Sequence, residues 1–335
     1  NEYGDYILRK TAQCIERNIR SGQKLFRIVA DEFAVVDFVG GTIEDARELY
    51  RNIKVSILDF IEENKYKAVY TVSGGIVDNR CIEDSYESAM KMSEFALGQA
   101  KKQGKNSCHV FDAKEYETYL KGRQLLRVLH HAVNHDFEGF EVYFQPLVGA
   151  SDGRLSGAEA LLRFHGENDR MVSPGEFIPI LEESGLIIPV GRWALRQAVD
   201  ACKEWQKYLP EFKVNVNLSY VQVLKSRVLS DIKGIIEEFG VRPSSVCIEL
   251  TESGYLEESM HFDKVWNGLK DYGILLALDD FGTGYSNLHC LSDLQPAYIK
   301  MDRSFMVKAL SREYEYRLLV HTVDMAHSLG LHVCM

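Results

Sequence analysis

From Glu141 onward the chain repeats one phrase, a short apolar or β-branched run followed by a helical stretch, and that rhythm restricts it to folds built on a parallel sheet. The runs are Glu141 to Val148, Leu155 to Phe164, Lys213 to Leu218, Ser245 to Leu250, Ile274 to Asp279 and Tyr298 to Met301. Helical periodicity fills Val190 to Tyr208, Ser226 to Phe239, His261 to Tyr272 and Arg312 to Leu329. The expected fold class is α/β, a (β/α) barrel of the TIM type. Such a barrel takes about 250 residues, and the stretch 139–335 is shorter. Leu331 to Met335 reads as the opening of a seventh strand, so the barrel is expected to be incomplete at its C-terminal end.

Upstream the pattern differs. A helix through Ala12 to Ile19, a strand at Phe33 to Phe38, a helix from Thr42 to Asn64, a strand at Ala68 to Ser73 and a helix from Ser85 to Lys102 predict an α+β domain over 1–112, expected to be incomplete at its N-terminal end. Lys114 to His135 reads as an amphipathic helical connector, assigned to 113–138.

In a parallel barrel, catalytic groups collect at the carboxyl ends of strands. There the sequence places Glu159, Asn217, Glu249, the pair Asp279-Asp280, and Lys300 with Asp302. Any one of the acidic or amide groups could cap the helix that follows it. A buried lone carboxylate costs several kcal/mol unless paired or cation-bound, and its recurrence on strand after strand favours a shared metal site. Oxygen ligands without His or Cys select hard cations, Mg²⁺ or Mn²⁺. Two adjacent carboxylates can hold two ions about 4 Å apart, the arrangement used for in-line attack on phosphodiesters. Glycines in Asp280-Phe281-Gly282-Thr283-Gly284-Tyr285-Ser286 allow a sharp turn beside that site.

Composition excludes several alternatives. A formal charge of −10 opposes binding to a DNA or RNA polymer, so an anionic ligand must be held locally by metals or single arginines. Seven scattered cysteines with no CxxC or Cys/His cluster argue against a disulfide framework or a zinc site and suit a reducing cytoplasm. There is no apolar run long enough to span a bilayer and no signal peptide, so the segment is expected to be cytoplasmic, with a membrane-anchored parent left open.

The motifs Glu159-Ala160-Leu161-Leu162-Arg163, Asn217-Leu218-Ser219, Glu249-Leu250-Thr251-Glu252, Asp279 through Ser286 and Lys300-Met301-Asp302 resemble those of the EAL family of cyclic-di-GMP phosphodiesterases. Gln145-Pro146 and Pro174 to Gly185 match as well, so the resemblance covers everything after the connector. It implies that Glu159, Asn217, Glu249 and Asp279 ligate one metal and that Asp280 helps hold a second. Glu159, Glu252 and Lys300 then belong to the catalytic set, Lys300 orienting or deprotonating the attacking water. Arg163 neutralises a substrate phosphate, with Gln145 and Asp302 as further substrate contacts. Glu252 fastens the Asp280 to Ser286 loop, which the family links to dimerisation. The implied reaction converts cyclic di-GMP to linear pGpG, with a homodimer as the working form. Met301 stands where the family usually has Ile, an exchange of similar volume. The family's further Glu-Gly-Val-Glu ligands would lie beyond Met335, so this segment by itself is expected to be impaired. The alternative is a non-hydrolysing cyclic-di-GMP receptor.

The first domain resembles the GGDEF family of diguanylate cyclases through Arg27 to Phe33, Thr71 to Ile76 and Ala100 to Asn106. Val29 and Ala30 replace two glycines that let the backbone approach GTP, and a β-branched residue resists positive φ. Gln23 stands where the inhibitory site would pair an Asp with Arg20. The resemblance therefore implies a degenerate, regulatory domain without cyclase activity, with GTP binding left open.

Overall fold

The computed structural model describes residues 2–65, 67, 69–81, 85–166, 169–251, 260–282 and 288–335. Contacts divide the chain into two units, Asn1–Lys121 and Gly122–Met335.

The first unit runs α1 (Glu2–Glu16), β1 (Gln23–Val29), β2 (Glu32–Asp37), α2 (Ile43–Glu63), β3 (Gly74–Ile76), α3 (Tyr86–Lys102) and β4 (Cys108–Val110). Helix α2 starts where a capping box says it should: Thr42 accepts from the Asp45 amide, and the Asp45 carboxylate accepts from the Thr42 amide. Ser85 caps α3 in the same way, through the Ser88 amide. Strands β1 and β2 form an antiparallel hairpin and β3 pairs with β4 in parallel, so the described strands make two small sheets. The strand expected at Ala68 to Ser73 lies instead at Gly74–Ile76, with Ala68 outside the described residues. Tyr70 and Val72 are spent on the cluster of Cys14, Ile57, Phe60 and Ile61, and the Val72 carbonyl accepts from the Tyr50 hydroxyl at 3.0 Å rather than from a neighbouring strand. The ladder begins only at the glycines. A Cβ on Gly75 would lie 2.6 Å from the Leu97 amide nitrogen, so only glycine lets this strand approach α3 so closely.

Helix α4 (Ala113–Asn134) follows, and the unit boundary falls within it. The second unit continues with β5 (Phe140–Val148), β6 (Leu155–His165), β7 (Met171–Val172), α5 (Pro174–Ser184), α6 (Ile187–Gln206), β8 (Lys213–Asn217), α7 (Tyr220–Lys225), α8 (Val228–Phe239) and β9 (Val246–Thr251). After these come α9 (Met260–Tyr272), β10 (Leu275–Phe281), α10 (Leu288–Leu294), β11 (Tyr298–Met301), α11 (Arg303–Ala309), α12 (Glu313–Ser328) and β12 (His332–Cys334). The main path of the sheet is β12-β11-β10-β9-β8-β6-β5, each strand beside its predecessor in the chain, with β7 paired to β6. Such an unbroken progression, with a helix between successive parallel strands, curls a sheet in the manner of a TIM-type barrel. Two pairs depart from the all-parallel expectation: the short β7 runs antiparallel to β6, and on the main path β5 and β6 are antiparallel. The chain between them turns at once, with hydrogen bonds from the Gly149 amide to the Arg154 carbonyl and from the Gly153 amide to the Gly149 carbonyl, and a turn that short cannot make a parallel crossover.

The outer face of the sheet carries Ala158, Ala160, Val214, Val216, Val246, Ile248, Leu250, Leu276, Leu278, Ile299 and Met301, packed against helical residues such as Val199, Ile232, Ile236, Trp266 and Leu269. Side chains alternate along a strand, so the residues between these point into the curl. That is where the polar groups stand. Among the described residues no helix is long and apolar enough to cross a membrane.

Candidate active site at the carboxyl ends of the strands

Four strands deliver one charged cluster. Glu159 comes from β6, Glu249 from β9, Asp279 from β10 and Lys300 from β11. The Lys300 ammonium lies 2.8 Å from Glu159 Oε2, 2.6 Å from Glu249 Oε2 and 3.3 Å from Asp279 Oδ2. Glu249 is fully buried, at 0% exposure, while Lys300 and Glu159 keep 12% and 13% of their side-chain surface. Burial first, and the charge of Glu159 after it, raise the Glu249 carboxyl well above the ordinary range, although Lys300 and Asn215 pull it back. Burial works against the Lys300 ammonium, but Glu249, Asp279 and Glu159 more than reverse that, so it is held above the usual lysine value.

Asn217, at the end of β8, donates to Glu159 Oε1 at 2.9 Å. Asn215, two residues earlier and therefore on the same strand face, is buried and donates to Glu249 Oε1 at 2.7 Å. The sequence reading passed over Asn215. The signal was present in Lys213-Val214-Asn215-Val216-Asn217, where period-2 alternation puts both amides on the inner face.

Asp280 follows Asp279 at a local irregularity and is exposed. The β10–β11 register slips between Leu278 and Phe281, which pair with Ile299 and Met301, so β10 carries one extra residue. Asp280 takes that place with φ 58° and donates its amide to Asp279 Oδ1 at 2.9 Å. Burial, then the charges of Asp279 and Asp302, raise its carboxyl. Phe281 is thereby returned to the apolar core beside Leu278.

The remaining candidates lie at different distances from the centre. Gln145 on β5 is register partner of Glu159 and is exposed. Arg163, further along β6, rests over the Tyr143 ring at 5.6 Å and donates to the Leu162 carbonyl at 2.9 Å. Asp302 is the N-cap of α11, accepting from the Ser304 amide at 2.8 Å and the Phe305 amide at 3.3 Å. Its hydrogen bond from the Ser304 hydroxyl is the main cause of a lowered pKa. Here the helix-capping role weighed for these residues is the one the geometry displays. Glu252 and the loop residues Thr283 to Ser286 lie outside the described residues.

Ligand atoms from Glu159, Glu249 and Asp279 all fall within 4.8 Å of one another. All are carboxylate oxygens, with the Asn217 amide alongside, and that donor set fits a hard divalent cation and not a thiophilic one.

In the first unit the motif at Val29-Ala30 forms the hairpin turn. Val29 stays in the strand, paired with Glu32, and it is Ala30 that takes positive φ, at 45°. Arg27 clamps the Ala30 carbonyl through Nε at 3.1 Å and Nη2 at 2.7 Å. Arg20 lies 3.2 Å from Asp37 and 3.5 Å from Asp45, and Gln23 donates to the same Asp37 carboxylate at 2.8 Å.

Comparison with known proteins fits this division. A family model described as EAL domain matches residues 127–335, and one described as diguanylate cyclase, GGDEF domain, matches residues 1–107. The chain is similar to uncharacterized protein y4lL of Sinorhizobium fredii, at 32% identity over 98% of this chain and 39% of that protein. It is similar also to the bifunctional diguanylate cyclase/cyclic di-GMP phosphodiesterase MucR of Pseudomonas aeruginosa, at 26% identity over 98% of this chain and 48% of that one. It therefore spans less than half the length of these curated relatives. A solved structure described as PaMucR phosphodiesterase in complex with c-di-GMP superposes with a TM-score of 0.57 at 28% identity, covering 63% of this chain and 85% of that one.

Proposed function

This chain belongs to the EAL domain family, with a GGDEF domain ahead of its EAL domain, and on that premise we propose that it hydrolyses cyclic di-GMP to linear pGpG in a reaction dependent on Mg²⁺ or Mn²⁺. The observation that carries the reading is the convergence of Glu159, Glu249 and Asp279, from separate strand ends, on one point. Among the described residues, Glu159, Glu249 and Asp279, with Asp280 next to Asp279 in sequence, outnumber the Lys300 ammonium and make the pocket acidic. A phosphodiester anion would be repelled from it unless cations are bound there first.

In this reading Glu159, Asn217, Glu249 and Asp279 hold one cation and Asp280 contributes to a second. Bound there, the cations would polarise the phosphoryl oxygen and acidify a water molecule. The chain's own residues do the rest. Asn215 fixes the rotamer of Glu249, and Asn217 that of Glu159. Lys300, kept as an ammonium, orients the attacking water by donation; a lysine with a raised pKa is a donor before it is a base. Arg163, propped on Tyr143, offers its guanidinium to a phosphate, with Gln145 on the neighbouring strand as a ligand contact. Water adds its oxygen to phosphorus, the P–O3′ bond breaks and the 3′ oxygen leaves with a proton, so one water is consumed per ring opened.

The proposed domain limits are 1–112 for the GGDEF-like region, 113–138 for the connector and 139–335 for the barrel. The GGDEF-like region acts as a regulator rather than a cyclase, because its turn carries Val29 and Ala30. The working form is proposed to be a cytoplasmic homodimer.

The test is to incubate the protein with cyclic di-GMP in Mg²⁺ or Mn²⁺ and follow pGpG by chromatography. Metal-dependent appearance of pGpG is expected. Binding without cleavage would favour a receptor, and neither binding nor cleavage would overturn the reading. With GTP alone no cyclic dinucleotide is expected.

A further inference from the structure

The end of α4 carries His130 and His131, and His135 follows its last residue; none of the three is used by the site above. Leu129 and Ala132 on this helix are buried, whereas His131 and His135 are exposed. Four residues apart across the helix end, these two meet on one side of it. Their rings lie 3.9 Å apart between centroids and within 9° of parallel. His135 Nδ1 lies 2.8 Å from the His131 carbonyl oxygen. A carbonyl can only accept, so Nδ1 carries the proton. In the neutral ring the lone pair is therefore on Nε2, directed away from the helix.

Helix capping accounts for part of this. A histidine in the last turn suits a helix C-terminus, and its bond to a terminal carbonyl satisfies one of the unpaired acceptors there. Capping does not account for His131, whose exposed ring is laid on that of His135.

We propose that His131 and His135 form a second metal site, for a borderline transition-metal ion of the Ni²⁺ or Zn²⁺ class. An i, i+4 histidine pair presents two imidazole nitrogens on one helix face, the spacing used by helical zinc ligands. The backbone bond at Nδ1 fixes the tautomer and orientation of His135, the service that second partners perform for metal-binding histidines. Opening the stack needs only a rotation of His131, whose exposed ring is free to swing. The positive charge of the ion would lie at the negative end of the helix dipole. Nitrogen donors divide this site chemically from the carboxylate cluster: Mg²⁺ prefers the oxygens, and Ni²⁺ or Zn²⁺ the imidazoles.

The experiment is calorimetric titration of the untagged chain with Ni²⁺ in excess Mg²⁺, which fills the carboxylate site. We expect one Ni²⁺ per chain, with affinity falling about tenfold or more in His131→Ala and in His135→Ala. His130→Ala, a neighbour off the shared face, is expected to bind as the parent does. His131→Gln and His135→Gln, which keep helix propensity, should match the Ala variants and show unchanged circular dichroism. The proposal fails if the parent binds no Ni²⁺, if removing either member of the pair leaves affinity unchanged, or if His130→Ala is the variant that loses it.

Discussion

Lys300 is the residue on which the site's electrostatics turn. Its replacement by Ala removes the cation that pairs with Glu159, Glu249 and Asp279. In saturating Mn²⁺, Lys300→Ala is expected to lower pGpG formation roughly 100-fold or more while cyclic di-GMP is still bound; turnover equal to the parent's would take Lys300 out of the mechanism. In chelator the same variant should be destabilised by about 3–5 kcal/mol, the usual result of leaving buried charge uncompensated, and denaturant melts with and without Mn²⁺ would show it. Asn215→Ala tests the residue the sequence reading passed over. Loss of its bond to the buried Glu249 should cost about 1–3 kcal/mol, and activity should fall with it even though Asn215 is no proposed ligand. The difference in legibility has a physical source. Glu159, Glu249 and Asp279 are acidic groups interrupting apolar runs, which are hard to explain without a cation. Asn215 is an amide inside a five-residue strand, and its importance emerges only once Glu249 is known to stand on the next strand with an oxygen to satisfy.

At the scale of elements, periodicity located the strands of the main sheet path to within a residue or two, because their outer faces are apolar and a helix separates successive parallel strands. It did less well where partners rather than periodicity decide. Thr71 to Ser73 read as strand by composition, yet Tyr70 and Val72 pack into a side cluster and the Val72 carbonyl is taken by the Tyr50 hydroxyl. The antiparallel start of the sheet was equally hidden, since direction depends on the brevity of the 149–154 turn and not on either strand. The β1–β2 hairpin supplies a prediction at this level. Ala30 bears a positive φ that glycine would adopt without strain, so Ala30→Gly is expected to stabilise the protein by up to about 1 kcal/mol in thermal melts. Val29→Gly, at a position that stays in the ladder, should give no such gain, and neither change should elicit a cyclic dinucleotide from GTP.

Across the whole molecule, buried and exposed thiols give a direct reading of the packing. Cys202 has no exposed surface and its thiol is pushed up to about 11 by burial, while Cys247, also buried, is raised further still. Cys81 is exposed. Maleimide labelling at neutral pH followed by peptide mapping should modify Cys81 within the native protein and reach Cys202 and Cys247 only in denaturant; rapid labelling of Cys202 in the native state would contradict the described core. The extra residue in β10 carries a consequence of another kind. Two consecutive acids, Asp279 and Asp280, stand together at this strand end because β10 is a residue longer than its partner there, and Phe281 reaches the core for the same reason. Loss of a single codon between Leu278 and Phe281 would remove the extra residue and leave a regular ladder, with Phe281 still facing the core and one acid in place of two at the strand end.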